Sequence, residues 1–232
     1  MYKISVPIVV RSCRRYTPEA MLAEVKKFDA QRVFLALGYY QLDPENRKED
    51  IEDLRTYCRI FKEAGLEVGA YFYAYSTTVG GTVKDAEMLL EWIEGKQFEY
   101  PVYFDIEDDT LLGLSKEHLT DMCTAFCETL QRQGYYAALY VNNEWLYKIL
   151  DTNRIKASFD VWYARYPLDT TAEDEFAFGD VFEWNVEVFG EQMGMWQYTE
   201  SGTIEGFYGK FDFSYAYKDY PTLIKKWELN GF

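Results

Sequence analysis

Histidine is almost missing from this chain: His118 is the one histidine among 232 residues. A catalytic triad built on Ser-His or Cys-His, and a zinc site built on Cys and His, are therefore poorly supported. His118 itself sits in Ser115-Lys116-Glu117-His118, which reads as a helix start and predicts a solvent-facing side chain. Cysteine is scarce too, at Cys13, Cys58, Cys123 and Cys127, and the last two are spaced i, i+4 in an expected helix. That spacing favours buried thiols over a disulfide framework. Positive charge is short, with 24 Lys and Arg against 39 Asp and Glu and a net charge of −15. A nucleic-acid backbone or an anionic membrane is a poor partner for such a surface. No apolar run approaches a membrane span, and Met1-Tyr2-Lys3-Ile4-Ser5-Val6 lacks the pattern of a signal peptide. Linkers, repeats and low-complexity segments are also lacking, so we expect one domain, residues 1–232.

What the chain has in abundance is aromatic and acidic. Aromatic residues make up 19% of it, and the hydrophobic fraction of 48% is enough for a sizeable core. Such an aromatic excess suits a cleft that stacks on flat amphipathic faces such as sugar rings. With histidine so scarce, carboxylates are the available acid and base groups. They concentrate in Tyr100-Pro101-Val102-Tyr103-Phe104-Asp105-Ile106-Glu107-Asp108-Asp109, an apolar strand that runs into four acids. Strand alternation predicts that Asp105 and Glu107 project to one side, with Cα atoms roughly 6.6–6.8 Å apart. Two like charges that close in a partly desolvated cleft do not both ionise easily, so one pKa rises. A proton-holding acid beside a charged stabiliser is what cleavage of a glycosidic bond requires. A strand ending in a solvated acidic loop is the bland alternative. A cage of oxygen ligands for Mg²⁺ or Ca²⁺ from Asp105, Glu107, Asp108 and Asp109 is a remote third, since no Gly-rich phosphate loop accompanies them. We expect no metal and no cofactor.

Strand and helix signals alternate through residue 165. Strands are predicted at Ile4–Val10, Arg32–Leu37, Glu67–Tyr73, around the acidic cluster, and at Tyr136–Val141, Val161–Arg165, Met193–Tyr198 and Phe211–Phe213. Helices are predicted from Thr17-Pro18-Glu19 to Phe28, from Arg47 to Ala64, from Gly80 to Ile93, from Ser115 to Gln133 and from Asn143 to Leu150. The stretch Asp169–Glu191 reads as irregular, with no clean helix between the last strands. The fold class this implies is α/β: a single TIM-like (β/α) barrel, flattened, with an incomplete helical ring in its C-terminal part. In such a barrel function gathers where strands end. Those ends carry Tyr71 and Tyr73, then Asp105 and Glu107, Tyr140 and Asn142, Trp162, Ala164 and Tyr166, Trp196, Gln197 and Tyr198, and Asp212.

A family resemblance rests on these same segments. Gly69-Ala70-Tyr71-Phe72-Tyr73, Phe104-Asp105-Ile106-Glu107, Leu139-Tyr140, Trp162-Tyr163-Ala164-Arg165-Tyr166, Trp196-Gln197-Tyr198, Gly206–Asp212 and the closing Asp219-Tyr220-Pro221 to Phe232 resemble glycoside hydrolase family 25 in order and spacing. This is the Chalaropsis-type lysozyme family, which includes phage endolysins. The resemblance implies hydrolysis of the β-1,4 bond between N-acetylmuramic acid and N-acetylglucosamine, at the extracellular cell wall, by a monomer whose partner is peptidoglycan or a related N-acetylated glycan. It implies Glu107 as proton donor and Asp105 as the group that steadies the acetamido group or the developing positive charge. Asp212 and Tyr140 follow as supporting residues and Tyr71 as a cleft border. Retaining and inverting outcomes both stay open. Substrate contacts are expected from Tyr71, Tyr73, Tyr140, Asn142, Trp162, Tyr166, Trp196, Gln197 and Arg11. The first strand departs from the family pattern Gly-x-Asp-x-Ser: it reads Ile8-Val9-Val10-Arg11-Ser12-Cys13, and Gly38-Tyr39-Tyr40 stands where strand two usually brings a Glu. Arg11 then either faces the strand-four acids or points to Asp108 and Asp109. A catalytically impaired glycan-binding barrel is the alternative those departures raise.

Overall fold

The computed structural model describes residues 5–9, 17–27, 30–37, 47–166, 175–203 and 211–232; the side chains of residues 5–9, 47–50, 175–181 and 211 are outside the description. Arg11, Cys13 and Gly38-Tyr39-Tyr40 lie outside the described residues.

Eight strands form one sheet in sequence order: β1 (Ser5–Val9), β2 (Arg32–Leu37), β3 (Glu67–Tyr73), β4 (Val102–Asp105), β5 (Ala137–Asn142), β6 (Val161–Ala164), β7 (Met193–Gly202) and β8 (Phe211–Ala216). Neighbours are parallel from β1 to β7, and β8 returns antiparallel to β7. The sheet curls until β8 lies against β1, with no ladder joining those two among the described residues. The result is a flattened, incompletely closed TIM-like barrel.

Helices follow each of the first six strands: α1 (Pro18–Lys27), α2 (Arg47–Glu63), α3 (Val79–Ile93), α4 (Lys116–Arg132), α5 (Thr152–Ser158, after a π turn at Trp145–Ile149) and α6 (Glu175–Phe189), with α7 (Tyr220–Lys226) closing the chain. Side-chain caps start several of them. Thr78 accepts from Gly81 N–H at α3, Ser115 from His118 N–H at α4, and Asp219 from Thr222 N–H at α7. The helix α6 corrects the expectation of an irregular Asp169–Glu191. Its sequence, EFAFGDVFEWNVEVF, spreads apolar residues over nearly every side and includes a glycine and three valines, so neither amphipathic periodicity nor propensity marks it. Among the described residues, β7 is the one parallel strand with no helix after it. His118 also departs from expectation: half-buried, its Nε2 lies 3.1 Å from the Thr77 carbonyl and ties α4 to the loop before α3.

Parallel strands covered by helices are buried on both faces, and every residue of β2 is buried. Alternate side chains divide into two cores. Val33, Leu35, Phe72, Phe104, Leu139, Tyr163 and Trp196 face the helices. Phe34, Tyr103, Ala138, Trp162 and Met195 face the barrel interior with Tyr100 and Tyr220. Gly194 in β7 leaves the space that the Tyr220 hydroxyl occupies, so any Cβ there would collide with it. At the N-terminal end of the barrel Asp160, 6% exposed, accepts from Tyr136 Oη (2.7 Å), Tyr220 Oη (2.8 Å) and Lys218 Nζ (2.7 and 2.8 Å). Cys58, Cys123 and Cys127 are free and buried, and burial pushes the Cys58 thiol up to about 12.

Candidate active site

Strand β4 ends at Asp105, one residue-pair short of the expected alternation through Glu107. A turn brings the two acids together instead. The Glu107 N–H donates to Asp105 Oδ1 at 3.1 Å, a side-chain-to-backbone bond two residues long that bends the chain as soon as the strand stops. Ile106 drops into the helix-side core, and the Glu107 carboxylate reaches across to β5, where it accepts from the Asn142 N–H. Sheet register sets the rest of the site. Tyr73 pairs with Asp105, Asp105 with Tyr140, Tyr140 with Trp162, and Asn142 with Ala164, which pairs with Gln197.

Burial dominates the electrostatics. Asp105, 4% exposed, is held well above the usual carboxylate range by desolvation, then by the charge of Glu107. Desolvation also pushes Glu107 up to about 7, with backbone and side-chain hydrogen bonds from Asn142 working the other way. Two acids this near titrate as a pair, and burial raises both. Asp212 on β8 is raised as well, by burial and then by Glu200. Asp108 differs: against a slight burial, hydrogen bonds from Thr110 and Tyr73 hold it below the usual range. Its Oδ1 accepts from Thr110 N–H (2.9 Å) and its Oδ2 from Tyr73 Oη (3.2 Å), which makes it a loop brace. Among the described residues no three or more His, Cys, Asp or Glu side chains converge to hold a metal ion.

Tyr140 stands at the centre. Its hydroxyl is held protonated by burial and by the charges of Glu107, Asp105 and Asp212 around it. It donates to Gln197 Oε1 (2.8 Å), and Gln197 Nε2 in turn donates to Tyr166 Oη (3.1 Å). Trp162 lies edge-on beneath Tyr140, with ring centroids 5.3 Å apart, and its indole N–H donates to Ser214 Oγ at 3.2 Å. Above them opens a cleft of about 680 Å³ walled by Glu107, Tyr140, Asn142, Ala164, Tyr166 and Glu200, and extending over Asn143, Glu144, Lys148 and Arg165.

The expected site residues therefore divide. Asp105, Glu107, Tyr140, Asn142, Tyr166, Gln197 and Asp212 are brought together. Trp162 is 7% exposed and forms the floor, and Tyr71, half-buried, packs on the same interior cluster. Tyr73 is tied to Asp108 at the rim. Trp196 is not on the cleft: it has no exposed surface, packs on the helix side, and donates its indole N–H to the Arg165 carbonyl at 2.8 Å. Residue parity explains this, because Gln197 faces in and its neighbour must face out. Asn143, Glu144, Lys148, Arg165 and Glu200 were missed as cleft residues, although their places just past the ends of β5 and β6 and late in β7 are where barrel sites form.

A barrel that carries two buried, coupled carboxyls in an aromatic-floored groove at its strand ends has the class of site that glycosidases use. Residues 46–207 match the family "Glycosyl hydrolases family 25". The chain belongs to that family, a glycoside hydrolase of the lysozyme-like type whose glycans are peptidoglycan-like and N-acetylated. Similar folds occur in the CTP1L endolysin (22% identity, TM-score 0.63, 97% of this chain and 70% of that one). They occur also in the catalytic domain of endolysin ply40 from bacteriophage P40 of Listeria monocytogenes (17%, 0.63, 97% and 98%). The modular autolysin LytC from Streptococcus pneumoniae, solved with a synthetic peptidoglycan ligand, is similar at 18% identity and TM-score 0.62, over 90% of this chain and 45% of LytC. No curated protein sequence matches the chain.

Proposed function

We propose that this glycosidase hydrolyses the β-1,4 bond between N-acetylmuramic acid and N-acetylglucosamine in peptidoglycan, as a monomer acting at the cell wall. The observation that carries this reading is Glu107, a carboxyl pushed up to about 7 and aimed into the cleft beside the still more buried Asp105. Near neutral pH such a carboxyl keeps its proton in a large fraction of molecules and still gives it up readily. Glu107 passes that proton to the glycosidic oxygen as the bond to the anomeric carbon breaks, and water supplies the new anomeric hydroxyl, its other proton going directly or through solvent to the Glu107 carboxylate and restoring the acid. Asp105 steadies the N-acetyl group or the positive charge that grows on the sugar, because an approaching positive charge favours its ionised form. Tyr140, its hydroxyl fixed by Gln197, packs edge-on with Trp162, and Asp212 lies near enough for its charge to act on that hydroxyl. Substitution at Glu107 tests the reading directly. Purified cell walls incubated with the protein should gain reducing ends, and Glu107→Gln should gain almost none. Equal release by the two forms would remove the proposal.

A further inference from the structure

Away from the cleft, one asparagine ties the floor of the barrel together. Asn230 has no exposed surface, and all of its polar groups are engaged. Its side-chain amide donates to the Phe98 carbonyl at 3.3 Å and to the Tyr100 carbonyl at 2.8 Å, and its Oδ1 accepts from the Tyr136 N–H at 2.6 Å. The backbone N–H donates to the Gly134 carbonyl at 3.0 Å, and the backbone carbonyl accepts from the Phe98 N–H at 3.2 Å. Two carbonyls demand donors and one N–H demands an acceptor, so only an amide fits all three side-chain partners. Phe98 and Tyr100 lead into β4, while Gly134 and Tyr136 lead from α4 into β5. One side chain thus fixes the entries of two adjacent strands, at the end of the barrel opposite the cleft.

The residue after it is glycine for a steric reason. Gly231 sits at φ 83°, in the left-handed region, and a Cβ on it would collide with the Lys96 carbonyl. That requirement creates the one Asn-Gly pair in the chain. In an open, flexible chain such a pair is chemically labile. The Gly231 backbone nitrogen, unhindered by any side chain of its own, loses its proton to base and attacks Asn230 Cγ. The bond from Cγ to the side-chain nitrogen breaks, and that nitrogen takes up a proton and leaves as ammonia. Water then opens the resulting five-membered imide at either carbonyl, giving aspartate or isoaspartate. The folded chain resists the first step. Rotation of the Asn230 side chain breaks three hydrogen bonds, and base and water have no exposed surface at which to reach its amide.

We propose that Asn230 is a modification site opened only by unfolding, and that its deamidation is a one-way block to reclosing the barrel floor. Either product replaces an amide that donates twice by a carboxylate that, at neutral pH, has no proton to donate. Its negative charge would face the Phe98 and Tyr100 carbonyl oxygens where hydrogen bonds now stand. Isoaspartate also lengthens the backbone by one carbon at a residue whose φ is 53°. Chains left open for long are thereby lost to refolding.

The wild-type protein tests this without any substitution. Samples are held at pH 8.5 and 37 °C, one folded and one unfolded in guanidinium chloride, and peptide mapping by mass spectrometry follows residue 230. Deamidation should be at least about 100-fold slower in the folded sample, because it waits on an opening event. The unfolded sample is then diluted at intervals, and refolding is read by tryptophan fluorescence, which does not depend on the glycosidase reading. The refolded fraction should fall in step with deamidation, and the refolded chains should carry unmodified Asn230. Chains kept unfolded equally long at pH 5, where the Gly231 nitrogen rarely loses its proton, should refold fully. Asn230→Asp presents the same carboxylate and should raise the unfolding equilibrium constant roughly 10–100-fold, the scale of a buried group left without its partner, or prevent folding. Rates that do not differ between folded and unfolded chains overturn the proposal. So do deamidated chains that refold with the wild-type midpoint, an equal loss of refolding at pH 5, or an Asn230→Asp protein of unaltered stability.

Discussion

Glu107→Gln is expected to make the protein more stable above neutral pH while removing its chemistry. The Glu107 carboxyl sits at about 7 in the folded chain against 4.5 for the free group. Its folded pKa is raised, so the folded state holds the proton more tightly than the unfolded state does. The stabilisation that this gives is fully present below about pH 4.5 and is lost as pH rises through about 7. The gap of about 2.5 pH units between those values corresponds to roughly 3 kcal/mol. Glutamine keeps the shape and never ionises, so the difference between variant and wild type should be small near pH 4 and reach about 3 kcal/mol near pH 8. For a chain of this size that is roughly 6–12 °C in Tm. Asp105 adds to the difference with the same sign, because its pKa is raised in part by the charge that the substitution removes. Urea unfolding followed by tryptophan fluorescence at pH 4, 6 and 8 measures it, and groups common to both proteins cancel in the subtraction. A difference that stays within about 1 kcal/mol across that range refutes the claim that Glu107 is a desolvated, proton-holding acid.

Other substitutions probe its surroundings. Asn142→Asp preserves the side-chain oxygen that accepts from Glu144 and Trp145 N–H, but exchanges a donor to Glu107 for a negative charge; the alkaline limb of a pH–rate profile should move to higher pH, and an unmoved or lowered limb contradicts the assignment. Gln197→Leu leaves the buried Tyr140 hydroxyl without its acceptor, which should cost about 1–3 kcal/mol in chemical unfolding; no measurable cost would show that the tyrosine finds another partner. Asp160→Asn breaks the charge pair with Lys218 at the end of the barrel away from the cleft, with an expected loss of about 3–5 kcal/mol. Below the melting transition its wall-digesting rate should stay within about 2-fold of wild type, because Asp160 precedes β6 at its N-terminal end whereas the cleft opens past Ala164 at its C-terminal end.

Much of the barrel could be read from residues alone, and the reasons differ by element. β2 and β3 match their expected bounds because each runs apolar and aromatic after the charged residue that opens it, Arg32 or Glu67, and Gly65, at φ 80°, marks where α2 gives way to β3. α6 was not legible, since a helix buried on several sides loses the 3.6-residue signature. The acid pair was recognised for a partly different reason from the one that holds it: alternation suggested a shared face, whereas a hydrogen-bonded turn after Asp105 brings Glu107 round. Trp196 shows the cost of grouping aromatics by composition, as the two-residue period that places Met195 and Gln197 inward already turns the indole away. Arg165 stands in the sequence only within the Trp162-Tyr163-Ala164-Arg165-Tyr166 segment, and its contact with Trp184 could not be read there because the fold alone sets α6 beside the end of β6.

The central claim, that Glu107 gives its proton to the leaving oxygen, is tested most directly by changing how much the leaving group needs one. Rates of wild type and Glu107→Gln should be compared on a natural N-acetylated oligosaccharide and on an aryl glycoside with a strongly acidic phenol as leaving group, from pH 5 to 9. On the natural linkage we predict an alkaline limb near pH 7 and a loss of about 10²–10⁴-fold in the variant. On the activated glycoside the limb should vanish and the variant should come within about 10-fold of wild type. A variant equally crippled on both substrates, or a wild-type limb unchanged by the better leaving group, contradicts the account.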